Sequence, residues 1–395
     1  MIGTPDCQLP RWVSPDDHGG PVIRIGLDMS RIGRELGGEE TYSVNLARAL
    51  ARIDTKNDYF LYFATARSSP LVGQANFHER LVRPRSLWIR MPVTLPLSAL
   101  RDRLDVLHII YVTAPICSVK QVVTAFDVAF EAYPEHFRLA VRLKRSMLQL
   151  RAVRQASKVL TISEYSKRRL VELYQIPENK VAVVSCGVDS ALYRPIPREE
   201  AWARLRERYH VVREPFIVHV GSLQPRKNVP RLLEAYARLV AAPGIDHQLV
   251  LVGRKWMTAE VEETLERLDL GANRVVLTGH VPDEDLPLFF NAADALVFPS
   301  LFEGFGLPCL EAMACGTPVV CSRATSLPEV VGDAAVLVDP FDVEDISRGI
   351  LEVLSDPARR SDLRARGLVR AGEFSWNQRA RRALRAFQEV ARGPR

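Results

Sequence analysis

From Pro21 onward, short β-branched runs alternate with amphipathic stretches of helical spacing. PVIRIGLD (21–28) reads as a first strand, and Thr41–Arg52 as a helix after a loop that holds Gly37 and Gly38. DYFLYFAT, DVLHII, KQVVTAF and KVLTIS continue the strands, and KVAVVSCGVD closes this run. The charged stretch PREEAWARLRERYHVVREP (197–215), of low β-propensity, predicts a helical connector. Alternation then restarts through FIVHVGS, HQLVLVG, RVVLTGHV, ALVFPS, PVVCS and AAVLVDP. Strands alternating with helices predict parallel sheets covered on both faces, so two such runs predict an α/β chain of two tandem doubly wound, Rossmann-like domains. The boundaries fall at 1–20 (a disordered extension), 21–195, a connector at 196–214, 215–373 and a last helix at 374–395.

Length agrees, since 395 residues exceed what one core ordinarily serves. With 47% hydrophobic and 25% charged residues the composition is globular. No apolar run reaches the roughly 18 residues a membrane span needs, and residues 1–20 lack a signal-peptide core, so the sequence reads as a cytoplasmic protein. The six cysteines (Cys7, Cys117, Cys186, Cys309, Cys315, Cys321) form no CxxC pair and read as buried reduced thiols, with no metal expected.

Charge is uneven. Residues 1–195 hold 27 Lys and Arg against 19 Asp and Glu, giving +8, whereas 196–395 hold 26 against 28, giving −2. Arg138–Lys158 carries seven basic residues and no acid, with Leu139, Leu143, Met147, Leu150 and Val153 at helical spacing. A second basic and apolar stretch, Arg80–Arg103, includes Trp88, Ile89 and Met91. These segments fit either an anionic lipid surface or phosphate-bearing acceptor, or helices packed on their own domain. Interleaved stacking aromatics are missing from both, which disfavours nucleic acid.

Doubly wound domains bind ligands at the carboxyl ends of their strands. After FIVHV comes Gly221 with Arg226 and Lys227, after QLVLV comes Gly253, after VVLT come His280 and Val281, and after ALVFPS comes EGFGLPCLEAMACGTP (303–318). In that last stretch Pro308 opens a short helix that Gly316 and Pro318 stop, which sets Glu303 before a Gly-Phe-Gly turn and Glu311 in the first helical turn. A helix start with free N–H groups and small neighbours is half of a phosphate site. By itself the segment equally fits an ordinary loop and helix, with Glu311 complementing the helix dipole. Cations, amides and carboxylates together suit a nucleotide-sugar, which has a diphosphate and many hydroxyls. No GxGxxG follows a strand and no GxxxxGK[ST] occurs, so dinucleotide and P-loop readings fail.

VGSLQPRKNVPRLLEAY, LVLVG, LTGHVPDEDLPLFFNAADALVFPSLFEGFGLPCLEAMACGTPVVCS and LPEVVGDAAVLVDPFD cover nearly all of 216–345. Together they resemble the retaining GT-B-fold glycosyltransferases of family 4, group 1, which include bacterial mannosyltransferases and glucosyltransferases of cell-surface polysaccharide synthesis. LDMSRIGRELGGEETYSVNLARAL, VVTAFDVAFEAYPEHF, LTISEYSKRRL and VAVVSCGVD resemble the acceptor domain of the same family. FSWNQRARRALRAFQEV is similar to its terminal helix, which crosses back to the first domain.

The resemblance implies that Arg226 and Lys227 neutralise the donor diphosphate, Glu311 holds the ribose and Glu303 the transferred sugar. It further implies that the amides of Phe305, Gly306 and Leu307 approach the phosphates or sugar, His280 and Val281 border the base, and Gly37 and Gly38 complete the cradle from the opposite domain. The implied reaction is retaining transfer of a hexose, mannose foremost, from GDP-mannose or a UDP-hexose. Its acceptor is a sugar hydroxyl, on a glycan or a polyprenyl-diphosphate carrier at the inner membrane face, with no cofactor or metal. Where relatives carry a His-Asp pair at the end of the fourth strand, this chain has Phe126-Asp127, so Asp127 alone joins the catalytic set. His108, on a neighbouring strand, is either a stand-in for the missing imidazole or a core residue. A sugar-nucleotide 2-epimerase and a nucleotide-sugar-binding protein without transfer activity are the rival readings.

Overall fold

The computed structural model describes residues 21–33, 37–128, 139–209, 213–241, 244–254 and 259–393. The expected extension at 1–20 and Arg138 lie outside the described residues.

The first unit runs β1 (Arg24–Asp28), α1 (Gly38–Ile53), β2 (Asp58–Phe63), β3 (Phe77–Leu81) and then a helical arm. The arm comprises one α-turn (Leu87–Ile89), a π-helical turn (Arg90–Thr94) and α2 (Leu95–Arg101). After it come β4 (Val106–Ile110), β5 (Lys120–Thr124), α3 (Leu139–Gln155), β6 (Lys158–Thr161), α4 (Glu164–Tyr174) and β7 (Val181–Val183). The second unit runs α5 (Arg198–Arg208), β8 (Phe216–Val220), α6 (Val229–Val240), β9 (Gln248–Val252), α7 (Ala259–Arg267), β10 (Val275–Gly279), α8 (Leu286–Ala292) and β11 (Ala295–Phe298). It continues through α9 (Leu307–Ala314), β12 (Val319–Ser322), α10 (Leu327–Val331), β13 (Ala335–Val338), α11 (Val343–Ser355) and α12 (Pro357–Gly372), and α13 (Trp376–Arg392) ends the chain.

Both sheets are parallel, in the orders β3-β2-β1-β4-β5-β6-β7 and β10-β9-β8-β11-β12-β13. Strand order therefore reverses between β1 and β4 and again between β8 and β11, opening a crevice at the carboxyl ends of those pairs. The central strands VLHII, FIVHV, QLVLV and ALVF are buried along their whole length, as parallel strands covered on both faces must be. β3, FHERL, has no apolar run to announce it, because an edge strand carries its charges toward water. With β3 present, the strand before Phe126-Asp127 is the fifth in the chain, not the fourth.

Helix α5 is no free connector. Ala201 and Leu205 are buried, Tyr209 meets the Phe289 ring of α8 at 5.0 Å, and Arg198 grips Asp294 at 2.8 and 3.2 Å. Helix α13 crosses back at a backbone bridge between Val188 and Ser375 and covers the first sheet, where Lys120 Nζ donates to the carbonyls of Val390 (3.0 Å) and Gly393 (2.6 Å). At the crossing a Cβ on Gly187 would come within 2.6 Å of the Trp376 nitrogen. The two units also meet where the Glu329 carboxylate of α10 accepts from the first amides of α4, Glu164 N at 2.8 Å and Tyr165 N at 3.1 Å.

Candidate active site

The reversal between β8 and β11 gathers the expected donor residues. Pro225–Lys227 forms a single 3₁₀ turn after β8, and Asn228, in the left-handed region (φ 60°), starts α6. The Asn228 amide ties this turn to its neighbours by donating to Pro299 O at 3.0 Å and Pro340 O at 2.6 Å. Lys227 is thereby fixed inward, with Nζ 4.4 Å above the Phe298 ring and 2.6 Å from Glu303 Oε1. Arg226 Nη1 donates to the same oxygen at 2.9 Å and to Phe302 O at 3.2 Å. Glu303 therefore does not wait alone for a sugar but shares one oxygen between the two cations. Burial raises its pKa, yet Arg226 and Lys227 outweigh burial and hold it down to about 2. Burial also lowers Lys227 to about 8, against the pull of Glu303.

The turn from Glu303 into α9 uses glycine for steric reasons. Gly306 sits at φ 107°, where a Cβ would lie 2.4 Å from Leu327 Cδ2. The amides of Gly306 and Leu307 start α9 and so lack intrahelical acceptors. The Phe305 side chain instead packs edge-on against Phe374 at 5.8 Å, which leaves only its backbone to a ligand. Gly221 makes room for Lys227, whose Cε would be 3.1 Å from a Cβ there. Gly253 serves the fold directly, since its Cβ would strike Gly221 O at 2.0 Å.

Glu311 is buried on α9 and its pKa is raised to about 8, first by burial and then by Asp283, despite a hydrogen bond from Tyr193. Asp283 follows exposed His280 and buried Val281 and also senses Glu40 of α1. The end of β10 thus converges on Glu311 and on the opposite domain. Gly37 (φ 63°) precedes α1, and Gly38 would place a Cβ 3.7 Å from Leu307. The starts of α1 and α9 therefore face each other across the cleft.

Asp127 lies against the same turn, because a Cβ on Gly304 would come within 3.2 Å of Asp127 Cβ and 3.3 Å of its Oδ2. Its neighbour Phe126 is buried, edge-on to Tyr42 at 5.0 Å and to Tyr111 at 5.5 Å. His108 does not replace the missing imidazole. It is buried mid-strand, 2.7 Å from Thr124 Oγ1 and 5.6 Å from the Phe387 ring, and burial lowers its pKa to about 4. Sequence reasoning missed a cluster beside Asp127, in which Arg31, hydrogen-bonded to Glu39, lies 5.1 Å over the Tyr111 ring. Tyr111 directly follows β4 at φ 63°, a conformation rare for a side chain of its size. The strand-end rule applied to DVLHII would have found it.

Two facing doubly wound domains, with cations, a helix start and paired glutamates at one strand-order reversal, define the GT-B class of glycosyltransferases. The family model for glycosyl transferases group 1 matches residues 204–370, and that for glycosyltransferase family 4 matches residues 36–192. The chain is 35% identical to the O-antigen chain mannosyltransferase B of Escherichia coli over 82% of either protein. Sucrose-phosphate synthase of Thermosynechococcus elongatus superposes with TM-score 0.76 at 21% identity, covering 93% of this chain and 99% of that one. HepE of Anabaena, solved with UDP and glucose, superposes with TM-score 0.72 at 20% identity, covering 93% and 100%. The chain belongs to glycosyltransferase family 4, group 1.

Proposed function

We propose that this glycosyltransferase moves mannose from GDP-mannose to a sugar hydroxyl of a lipid-linked or glycan acceptor in cell-surface polysaccharide synthesis, with retention of configuration. The observation that carries the reading is the Glu303 oxygen shared by Lys227 at 2.6 Å and Arg226 at 2.9 Å, beside the start of α9. In this reading the diphosphate enters between the cations and the Gly306 and Leu307 amides, while Glu303 turns to the sugar hydroxyls and Glu311 takes the ribose. The acceptor hydroxyl attacks C1 from the face the phosphate leaves, the bond from C1 to the phosphate oxygen breaks, and that oxygen takes the proton. Charge developing on the phosphate falls to Arg226 and Lys227, without a metal. Mannose as the transferred sugar is supported by the name of the Escherichia coli relative.

Incubation with labelled GDP-mannose, with and without a polyprenyl-diphosphate-linked oligosaccharide, tests the reading. An α-mannosidic product is expected. A β-linked product would overturn retention, conversion of the donor without acceptor would favour the epimerase reading, and activity with UDP-glucose alone would overturn the donor.

Membrane contact belongs to the same proposal. Helix α3 splits its apolar stripe: Val153 is buried, whereas Leu143 and Met147 (70% exposed) face outward beside Trp88 (65% exposed), whose ring carries Lys144 Nζ at 4.5 Å. Ile89, Val93, Leu97 and Leu100 of the arm are exposed as well, while Met91 turns into the core. Apolar residues bordered by cations suit an anionic bilayer, with about 1 kcal/mol from each basic residue that reaches it. The protein is expected to sediment with anionic vesicles at low salt. Exchange of Arg142, Lys144, Arg145 and Arg151 for Gln should release it without weakening donor binding. Sedimentation that survives those exchanges would make the face a packing or protein-contact surface.

A further inference from the structure

At the amino ends of β11 and β12, on the far side of the second domain from the donor cleft, lies a cavity of about 470 Å³. Its walls come from the entry to α5, the end of α8, the turn after α9 and the first turns of α12. Three guanidinium groups line it, those of Arg198, Arg360 and Arg364, against the single carboxylate of Asp294. That carboxylate is already engaged, by Arg198 at 2.8 and 3.2 Å, Arg360 at 3.4 Å and His247 Nε2 at 3.3 Å. Arg198 also donates to Glu214 at 2.8 Å, outside the lining. Arg364, one helical turn beyond Arg360, has no acidic partner among the described residues. Its guanidinium lies on Gly316, where a Cβ would meet Cζ at 3.2 Å, and the Ser361 hydroxyl lies between the two arginines in the chain. Two cations one turn apart on one helix face repel unless an anion joins them.

We propose that this cavity is a second, anion-binding site for a small phosphate monoester of hexose size, held by Arg360 and Arg364 and coupled to the donor cleft. Its volume falls in the range of small-molecule sites, and two planar donor forks suit phosphate oxygens. Coupling has a route, since Phe290 in the cavity wall stands 6.2 Å from the Tyr193 ring, and the Tyr193 hydroxyl binds Glu311. The site stands apart from the donor reading because its lining shares no residue with the cleft.

Calorimetric titration of the full chain with mannose 6-phosphate is the test, with GDP and UDP then titrated in parallel at saturating sugar phosphate. Binding is expected to persist in Lys227→Ala and to weaken at least ten-fold in Arg364→Gln and in the Arg360→Gln, Arg364→Gln double variant. Saturation is expected to shift the affinity of whichever nucleoside diphosphate binds, and the double variant should lose that shift. No heat of binding, wild-type affinity in both variants, loss of binding in Lys227→Ala, or nucleotide affinity indifferent to the sugar phosphate overturns the proposal.

Discussion

Lys227→Ala is expected to lower turnover about a hundred-fold while the protein stays folded. An oriented donor to a developing oxyanion contributes roughly 2.7 to 4 kcal/mol in a water-excluded site. Lys227 meets those conditions, being buried, seated on Phe298 at 4.4 Å and aimed by a turn that Asn228 pins. Folding should survive because Arg226 still holds Glu303 at 2.9 Å, so no buried carboxylate is left unpaired. Lys227→Arg should not restore the rate, since a rigid guanidinium fork does not fit a pocket shaped for one ammonium. Single-turnover kinetics at saturating donor is the measurement, with circular dichroism as the control for folding. Wild-type turnover in a folded Lys227→Ala protein would remove Lys227 from the chemistry.

Glu311→Gln is expected to separate donor affinity from stability. Above pH 8, where Glu311 is ionised, hydrogen bonds to a charged acceptor contribute about 1.5 to 3 kcal/mol, so affinity for the nucleoside diphosphate should fall roughly ten-fold or more in calorimetry. Stability should move the other way at alkaline pH. Burial and Asp283 hold the Glu311 proton until about pH 8, whereas the unfolded chain releases it near the ordinary carboxyl value of 4.5. Between those values the folded state binds more protons than the unfolded one, so the contribution of this group falls as pH rises through that window and is fully lost above pH 8. A glutamine keeps the neutral form at every pH. Ligand-free Glu311→Gln should therefore gain in melting temperature relative to the wild type on going from pH 5 to pH 8. An unchanged donor affinity would leave Glu311 a role in the helix alone, and equal melting at both pH values would refute the trapped proton.

Several parts of this protein were determined by its sequence because their physics is local. Runs such as FIVHV and ALVF can be strands buried on both faces and little else, so their alternation with amphipathic helices specified two doubly wound sheets. Glycine, proline and cations placed just after those runs marked the candidate donor residues, because strand ends are where such folds bind ligands. Polar β3 escaped notice because its pairing with β2, not any apolar pattern, makes it a strand. Tertiary structure decided whatever depends on which side chains meet across the sheets and the cleft. The covering of His108 by α13 excluded it from the site, although 279 residues separate it from Phe387 in the chain. The same long-range packing placed Arg31 over Tyr111 beside Asp127, gave both cations one oxygen of Glu303, and divided the α3 stripe into a buried half and an exposed half. Spacing along a chain reports the face a residue occupies, but charge, protonation and exposure follow from neighbours that only the tertiary fold brings together.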